Sequence, residues 1–291
     1  MFETQVCCPV PATRSALPRM WWIRLGCLAW LLSAVGCFEK TYADRMAVTV
    51  KLYEHIDLLN RNLNPDWADG GFKLRTPLGF KFIPKPVPPP RDPKDPVPAP
   101  GTEEPLDDPR QPGYLGIKLP GMVAAWSKNV SVDEPQTTTT RKAYIYLLSN
   151  VALFAVSPEE PGRIDPLKFQ EHTVNLLAGD LGVQFKEEDW RREDFPVDFK
   201  LVPKVTYDRM DFVPPERMFE ETKMTFKLFI TSQKDTQAIL LIVYPDLTSS
   251  SERLSERIPL CLETLQIPDN AAAASTGAPA AGGGGGNAPA F

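Results

Sequence analysis

Histidine and cysteine are scarce in this chain, which limits the chemistry it can perform. The 291 residues include two histidines, His55 and His172, and five cysteines. Metal sites and acid–base catalysis near neutral pH draw mainly on histidine, cysteine and clustered carboxylates. Each histidine lies on a predicted helix without a ligand-type partner at metal spacing. The sequence therefore predicts no catalytic residue, no metal ligand and no cofactor, and we expect that the protein is not an enzyme.

Motifs that bind phosphate or activate a serine are missing as well. The chain contains no GxSxG, and its glycine run, Gly282 to Gly286, has no predicted strand before it and no helix after it. A phosphate-binding glycine loop needs that strand–turn–helix context.

A basic face is a third absence. The formal net charge is −5, and without residues 1–36 the chain keeps 29 basic and 36 acidic residues, a charge of −7. Proteins that bind nucleic acid gain affinity by releasing counterions from phosphate, which requires clustered Lys and Arg. We therefore expect no nucleic-acid partner.

One dense run of charge is present, from Glu187 to Asp194. Its carboxylates could hold a divalent cation, or Trp190 and its arginines could pair with a sugar. The favoured interpretation is a solvated loop with local ion pairs.

The amino terminus has the profile of a signal peptide. Arg14, Arg19 and Arg24 precede an uncharged run from Leu25 to Gly36. The run is about a dozen residues long, short of the ~20 that a membrane-crossing helix needs. Met20 starts a more compact signal sequence than Met1 does, so we expect Met20 to be the initiator.

The end of this run carries the most specific signal in the chain. Ala34-Val35-Gly36-Cys37 resembles the lipobox of bacterial lipoproteins, in which the cysteine thiol is acylated and becomes the first residue. The resemblance implies a signal peptide over residues 1–36, palmitate-type lipidation of Cys37, and a location in the cell envelope, facing the periplasm or the exterior. The alternative is an uncleaved helix that Cys37 ends as a small apolar residue. Both interpretations tether the chain to a membrane lipid layer.

The cysteine positions then exclude an intramolecular disulfide. Cys7, Cys8 and Cys27 precede the expected cleavage, and Cys37 carries lipid, so Cys261 alone is left. Cys261 lies in a predicted helix and is expected to be a buried small hydrophobic residue.

Four segments are expected after the cleavage site. Residues 37–65 form a membrane-proximal helix, with an apolar stripe that Asn64-Pro65 ends. Residues 66–270 form a single α+β domain, interrupted over 84–112 by a proline-rich loop that favours polyproline II and cannot join a sheet. This loop is a solvated segment or, in the alternative, a spacer or partner ligand. The Ala/Gly-rich tail, 271–291, is expected to be disordered.

Within the domain, three apolar patterns are informative. The continuous run Ala143 to Val156 predicts a central strand or two. Residues 165–183 predict an amphipathic helix with Phe169, Val174 and Leu177 inward and a stop near Gly179. The closing unit predicts a hairpin, with Ala238 to Tyr244 as a buried strand, and a helix that Ser249 to Ser251 cap, carrying Leu254, Ile258, Leu262 and Leu265.

This order resembles the PsbP-like fold. The residues that carry the resemblance are Gly71-Phe72-Lys73-Leu74, Pro77-Leu78-Gly79-Phe80 and the stretch Phe226 to Leu265. It implies an antiparallel β-sheet flanked by helices, an α/β/α sandwich, and a non-catalytic accessory or interaction role with a protein partner. The alternative function is an envelope-spanning structural or transport accessory that keeps its amino-terminal helix and uses the proline-rich stretch as a spacer.

Overall fold

The computed structural model describes residues 17–86, 107–134, 137–156, 165–214, 219 and 222–268. The chain divides into two compact units, Met1–Asp57 and Leu58–Phe291. The central part of the proline-rich loop and the Ala/Gly tail lie outside the described residues.

The described part of the first unit is one long helix, α1 (Leu17–Asn62), whose last turn belongs to the second unit. The helix ends at Asn62, two residues before the predicted stop at Asn64-Pro65. The helix begins well before residue 37 and runs through Cys37. In the described part of the chain, no helix has both the length and the apolar content for crossing a membrane.

The second unit contains the strands and the remaining helices. The strands are β1 (Trp67–Asp69), β2 (Phe72–Leu74), β3 (Lys81–Ile83), β4 (Met122–Asp133), β5 (Thr138–Ser149), β6 (Arg191–Phe195), β7 (Val205–Phe212), β8 (Met224–Gln233) and β9 (Thr236–Pro245). The helices are α2 (Pro166–Leu181) and α3 (Leu254–Leu262), with short 3-10 helices at Asn150–Val156, Glu187–Asp189 and Ser250–Glu252.

Seven strands form one antiparallel sheet in the order β3-β4-β5-β9-β8-β7-β6, and β1 and β2 form a separate hairpin. The last strand in sequence, β9, is thus the central one. Its unbroken apolar run, Ile239 to Val243, fits that place because both faces of a central strand are covered. The predicted fold class is confirmed: the protein is α+β, an antiparallel sheet flanked by helices.

Each face of the sheet has its own core. On one face, α3 buries Leu254, Ile258 and Leu262 in the same cluster as Leu240 and Ile242 of β9. On the other face, a second cluster joins residues of α2 to alternate residues of β9: Phe169, Leu177, Leu181, Ile239, Leu241 and Val243. Alternation along β9 therefore holds the two helical layers on opposite sides.

Helix α2 follows its prediction closely at its start. The Asp165 side chain accepts a 2.8 Å hydrogen bond from the Leu167 amide, and Pro166 occupies the first turn. The helix ends one turn later than predicted, at Gly182, whose φ of 65° suits a glycine. Thr173 is buried, and the predicted inward residue Val174 is only half-buried.

The apolar run from Ala143 to Val156 forms one strand rather than two. β5 ends at Ser149, and Asn150–Val156 is a 3-10 helix. The buried Asn150 side chain accepts from the Gln237 amide at 2.9 Å and donates to the Asp235 carbonyl at 3.0 Å. These bonds tie Asn150 to the β8–β9 turn, so the chain leaves the sheet at this point.

The proline-rich loop packs on the second unit at its carboxyl end, which the sequence did not predict. Arg110 is buried, pairs with Asp108 at 2.7 Å and donates to the Val123 carbonyl at 3.0 Å. The Gln111 side chain donates a hydrogen bond to the Leu119 carbonyl and accepts one from the Leu119 amide. The expectation of a solvated loop is therefore wrong for residues 107–112.

Candidate interaction surface

A cluster of three aromatic rings lies at the β3 edge of the sheet. Trp67 on β1, Phe82 on β3 and Trp126 on β4 meet with ring centroids 5.1 to 6.0 Å apart, and we call them the aromatic corner. Trp126 is only 2% exposed, whereas Phe82 is 42% exposed. Leu78, in the turn before β3, is also exposed. The corner is anchored in the core and presents apolar surface outward.

The turn that precedes β3 is held by one side chain. The side-chain amide nitrogen of Asn64 donates to the Phe80 carbonyl at 2.7 Å, the Thr76 hydroxyl at 3.0 Å and the Pro77 carbonyl at 3.2 Å. Gly79, within this turn, has a φ of 91°, which favours glycine. Asn64 therefore fixes the exposed Leu78 and the start of β3 relative to the end of α1.

Charged groups of both signs border the aromatic corner. Lys85 pairs with Asp69 at 2.8 Å, and Arg75 lies 3.5 Å from Asp66. β3 is also a strand of three residues at the edge of the sheet, and among the described strands β4 alone pairs with it. Apolar anchors inside a polar rim are the usual anatomy of a protein–protein contact.

A small cavity lies on the opposite face of the sheet. Its volume is ≈ 30 Å³, and its lining includes Tyr114, Tyr144, Phe219 and Met224. That volume has room for about one water molecule. Burial raises the pKa of Tyr114 and of Tyr146 far above the ordinary range, so neither phenol ionises near neutral pH. The lining also includes the charged residues Arg141 and Lys142, but the volume is far below that of a substrate pocket.

The charge run Glu187 to Asp194 is divided between a 3-10 turn and β6. Glu193 accepts from Arg209 on β7 at 2.8 Å, and Arg209 also pairs with Asp211. Burial would raise the pKa of Asp211, but hydrogen bonds from Arg209 and the charge of Lys227 outweigh it and lower that pKa. The predicted solvated loop is wrong over residues 191–194, because these residues belong to β6. The ion pair of Glu193 is present but reaches across to β7. Among the described residues no three potential ligands meet to hold a metal ion, and the expected absence of a metal stays a prediction.

The remaining predicted positions are dispersed. Cys37 lies on α1, and its side chain is outside the described ones. His55 is half-buried on α1, with its pKa lowered by burial, and His172 is exposed on α2. Cys261 is fully buried in α3, as predicted, and burial raises the pKa of its thiol.

Sequence reasoning missed the aromatic corner and one titratable group. Trp67, Phe82 and Trp126 are far apart in the chain, so no local pattern joins them. Glu263, at the end of α3, has a pKa that burial raises to about 7. Its only sequence signal is a carboxylate directly after the buried pair Cys261-Leu262.

Comparison with known proteins gives no relative from which a function could be transferred. No protein-family model matches the chain, and no curated protein matches it. A solved structure from Bacteroides thetaiotaomicron VPI-5482 is similar over 68% of this chain and 46% of that protein, with 10% identity and a TM-score of 0.31. This chain therefore spans less than half of that protein's length, and a TM-score this low indicates neither a shared fold nor a shared function.

Proposed function

We propose that the protein is a membrane-anchored extracytoplasmic lipoprotein whose α+β unit is a non-catalytic interaction or accessory domain with a protein partner. The observation that carries the proposal is the aromatic corner. Phe82 stays 42% exposed although its ring meets two tryptophans, one of which is buried. An exposed aromatic group on a rigid base is the typical anchor of a binding surface.

The anchoring half of the proposal rests on the sequence. Small residues precede Cys37 at the end of a short apolar run behind a basic start, an order that resembles a lipoprotein signal although Ala34 and Val35 stand where leucine and a smaller residue are usual. On this interpretation the membrane lipid holds the chain at Cys37, and the second unit works in the cell envelope, on the periplasmic or outer side.

The non-catalytic half rests on how the charged and nucleophilic groups are engaged. Arg209 and Asp211 bind one another, Arg110 binds Asp108 and the backbone, and Cys261 is buried with a raised thiol pKa. A catalytic acid, base or nucleophile needs access to substrate and a suitable protonation state. These groups support a structural role instead.

A paired pull-down tests the interaction role. Full-length protein extracted from membranes would be compared as wild type, Phe82→Asp and Leu167→Asp. Leu167 is the matched control, since it is an exposed apolar residue on α2, away from the corner. We expect Phe82→Asp to lose co-purifying proteins that wild type and Leu167→Asp retain. Identical sets from all three proteins would contradict a role for the corner.

The second candidate, an envelope-spanning accessory with an uncleaved amino-terminal helix, is favoured by one observation. α1 is continuous through Cys37, with no break at the expected cleavage site. The mass of the mature amino terminus separates the two. A diacyl-modified Cys37 as the first residue supports the lipoprotein, and an intact segment before Cys37 supports the spanning accessory.

A further inference from the structure

The part of α1 that follows Cys37 carries an exposed apolar seam. Tyr42, Met46, Tyr53 and Ile56 are all exposed, and the two tyrosines are 67% and 60% exposed. Soluble surfaces seldom leave so many large apolar groups together in water, and such a cluster usually marks an interaction site.

The seam follows the spacing of a coiled coil. Its positions alternate by four and three residues: Tyr42, Met46, Thr49, Tyr53, Ile56. In heptad letters these are d, a, d, a, d, and none of them is charged. The seam ends before Asn60, whose side-chain oxygen accepts a 3.0 Å hydrogen bond from Arg75.

Five of the eight charged residues between 39 and 61 lie on the outer side of the helix. Lys40, Asp44, Lys51, Glu54 and Arg61 occupy b and f positions, which face away from the seam in a helix pair. Exposed apolar residues also occur off the seam: Val48 at a c position, Val50 at an e position and Leu58 at an f position. Charge thus separates from the seam as a paired helix requires.

We propose that residues 42–56 of α1 pair with the same segment of a second copy of this chain, as a parallel two-stranded coiled coil. The segment measures about 21 Å at 1.5 Å per residue, which is short for a free coiled coil. The inference therefore rests on the proposed anchor, because lipid at Cys37 confines both helices to one membrane and raises their effective concentration. Anchoring both copies by the same end also makes the pair parallel.

Charge at the borders of the seam is compatible with a parallel, in-register pair. The g and e positions place Arg45 beside Val50 of the second copy, and Leu52 beside Asp57 of the second copy. Between residues 42 and 57, no like charges meet across the seam.

A lipid surface fits this segment less well than a second copy does. Between residues 39 and 61 the segment has four acidic and four basic residues: Glu39, Asp44, Glu54, Asp57, Lys40, Arg45, Lys51 and Arg61. Helices that lie on anionic membranes carry an excess of Lys and Arg on the polar face. Here the charges balance, so electrostatic attraction to lipid is not available.

Cysteine cross-linking tests the pairing in the full chain. Thr49→Cys places a thiol at a d position, and Lys51→Cys, the matched control, places one at an outer f position. A disulfide needs Cβ atoms about 3.5 to 4.5 Å apart, a separation that the d positions of a parallel pair can reach and f positions cannot. After mild oxidation in membranes, we expect a covalent dimer several-fold stronger for Thr49→Cys than for Lys51→Cys, with the wild-type band from native cysteines as baseline. Equal bands, or no band above baseline at position 49, would overturn the pairing.

A second variant separates pairing from folding. Met46→Asp combined with Tyr53→Asp, in the Thr49→Cys chain, should abolish the dimer band while the thermal unfolding of the second unit stays unchanged. If the helix instead lay on lipid or against its own chain, Thr49→Cys would cross-link no better than Lys51→Cys.

Failure of the anchor and failure of the pairing give different results. If Cys37 is not lipidated, the wild-type protein incorporates no palmitate label, whatever the cross-linking shows. If the pairing is wrong, labelling persists and the position-49 dimer is missing.

Discussion

The Tyr207 hydroxyl donates a 2.7 Å hydrogen bond to the Leu262 carbonyl, which joins β7 to the last turn of α3. Both residues are fully buried. The last carbonyls of a helix have no partner within the helix. The Leu262 carbonyl is satisfied by two donors from outside it, the Tyr207 hydroxyl and, at 3.3 Å, the Leu265 amide. The bond from Tyr207 also fixes α3 over the β6–β7 side of the sheet.

Tyr207→Phe should therefore destabilise the second unit by about 0.5–1.5 kcal/mol, because the Leu262 carbonyl loses the shorter of its two hydrogen bonds while the ring is kept. Tyr244→Phe is the matched control, since the Tyr244 side chain is half-exposed and its ring stays below Lys227 in either form. Urea unfolding of both variants measures the difference. Equal midpoints would show that the bond contributes nothing to stability.

Ile242→Ala or Leu262→Ala should each cost about 2–5 kcal/mol, because each opens a cavity in the core between β9 and α3. Leu167→Ala, at an exposed position on α2, should cost little. The free energy of unfolding of the three variants checks this. A loss for Leu167→Ala as large as for Ile242→Ala would place the stabilising core elsewhere.

Arg110→Ala should destabilise the second unit by about 1–3 kcal/mol, because it removes the donor to the Val123 carbonyl and the partner of Asp108. Arg192→Ala, on the exposed side of β6, is the control, and urea unfolding measures both variants.

A related comparison concerns the proline-rich loop. Replacing residues 87–106 with a Gly/Ser linker should leave the melting temperature nearly unchanged, whereas replacing 84–112 should lower it by more than about 5 °C. Equal melting temperatures for the two replacements would show that the Arg110 contacts are dispensable.

Glu263→Gln should stabilise the protein at alkaline pH and have little effect in acid. Burial raises the folded-state pKa of Glu263 to about 7, above its ordinary value of 4.5, so the folded protein holds the proton more tightly than the unfolded chain. The wild type then loses stability as pH rises from 4.5 through 7, and the glutamine variant avoids that loss. Melting curves at about pH 4 and about pH 8, with Glu171→Gln as the exposed control, measure it. A constant difference between variant and wild type across this range would exclude a raised pKa.

Cys37→Ser should leave an unprocessed precursor and abolish metabolic labelling with palmitate, because serine offers no thiol for acylation. His172→Ala, exposed on α2, should leave labelling and partner binding unchanged. Persistent labelling of Cys37→Ser would contradict the lipoprotein proposal. Lost partner binding in His172→Ala would contradict the absence of a role for that histidine.

Local patterns in the sequence were sufficient to predict those strands and helices in which buried residues recur at a regular spacing. The unbroken run in β9 predicted a strand covered on both faces, and the spacing of Leu254, Ile258 and Leu262 predicted the buried side of α3. Such patterns are informative because side-chain direction repeats every two residues in a strand and every 3.6 in a helix. The capping prediction was less accurate, since Ser249 caps the 3-10 helix and α3 begins only after Arg253.

Contacts between distant segments were decided by the tertiary structure. The aromatic corner exists because β3 pairs with β4 in a register that places Phe82 opposite Trp126. Asn150 ends β5 because Gln237 and Asp235 lie beside it, and Arg110 is buried because the Val123 carbonyl is within reach. Composition alone made residues 84–112 look uniformly solvated, since a proline-rich stretch has few apolar side chains to bury. Periodicity reports which side of a segment is buried, but strand register and hydrogen-bond partners between segments follow only when the whole chain has packed.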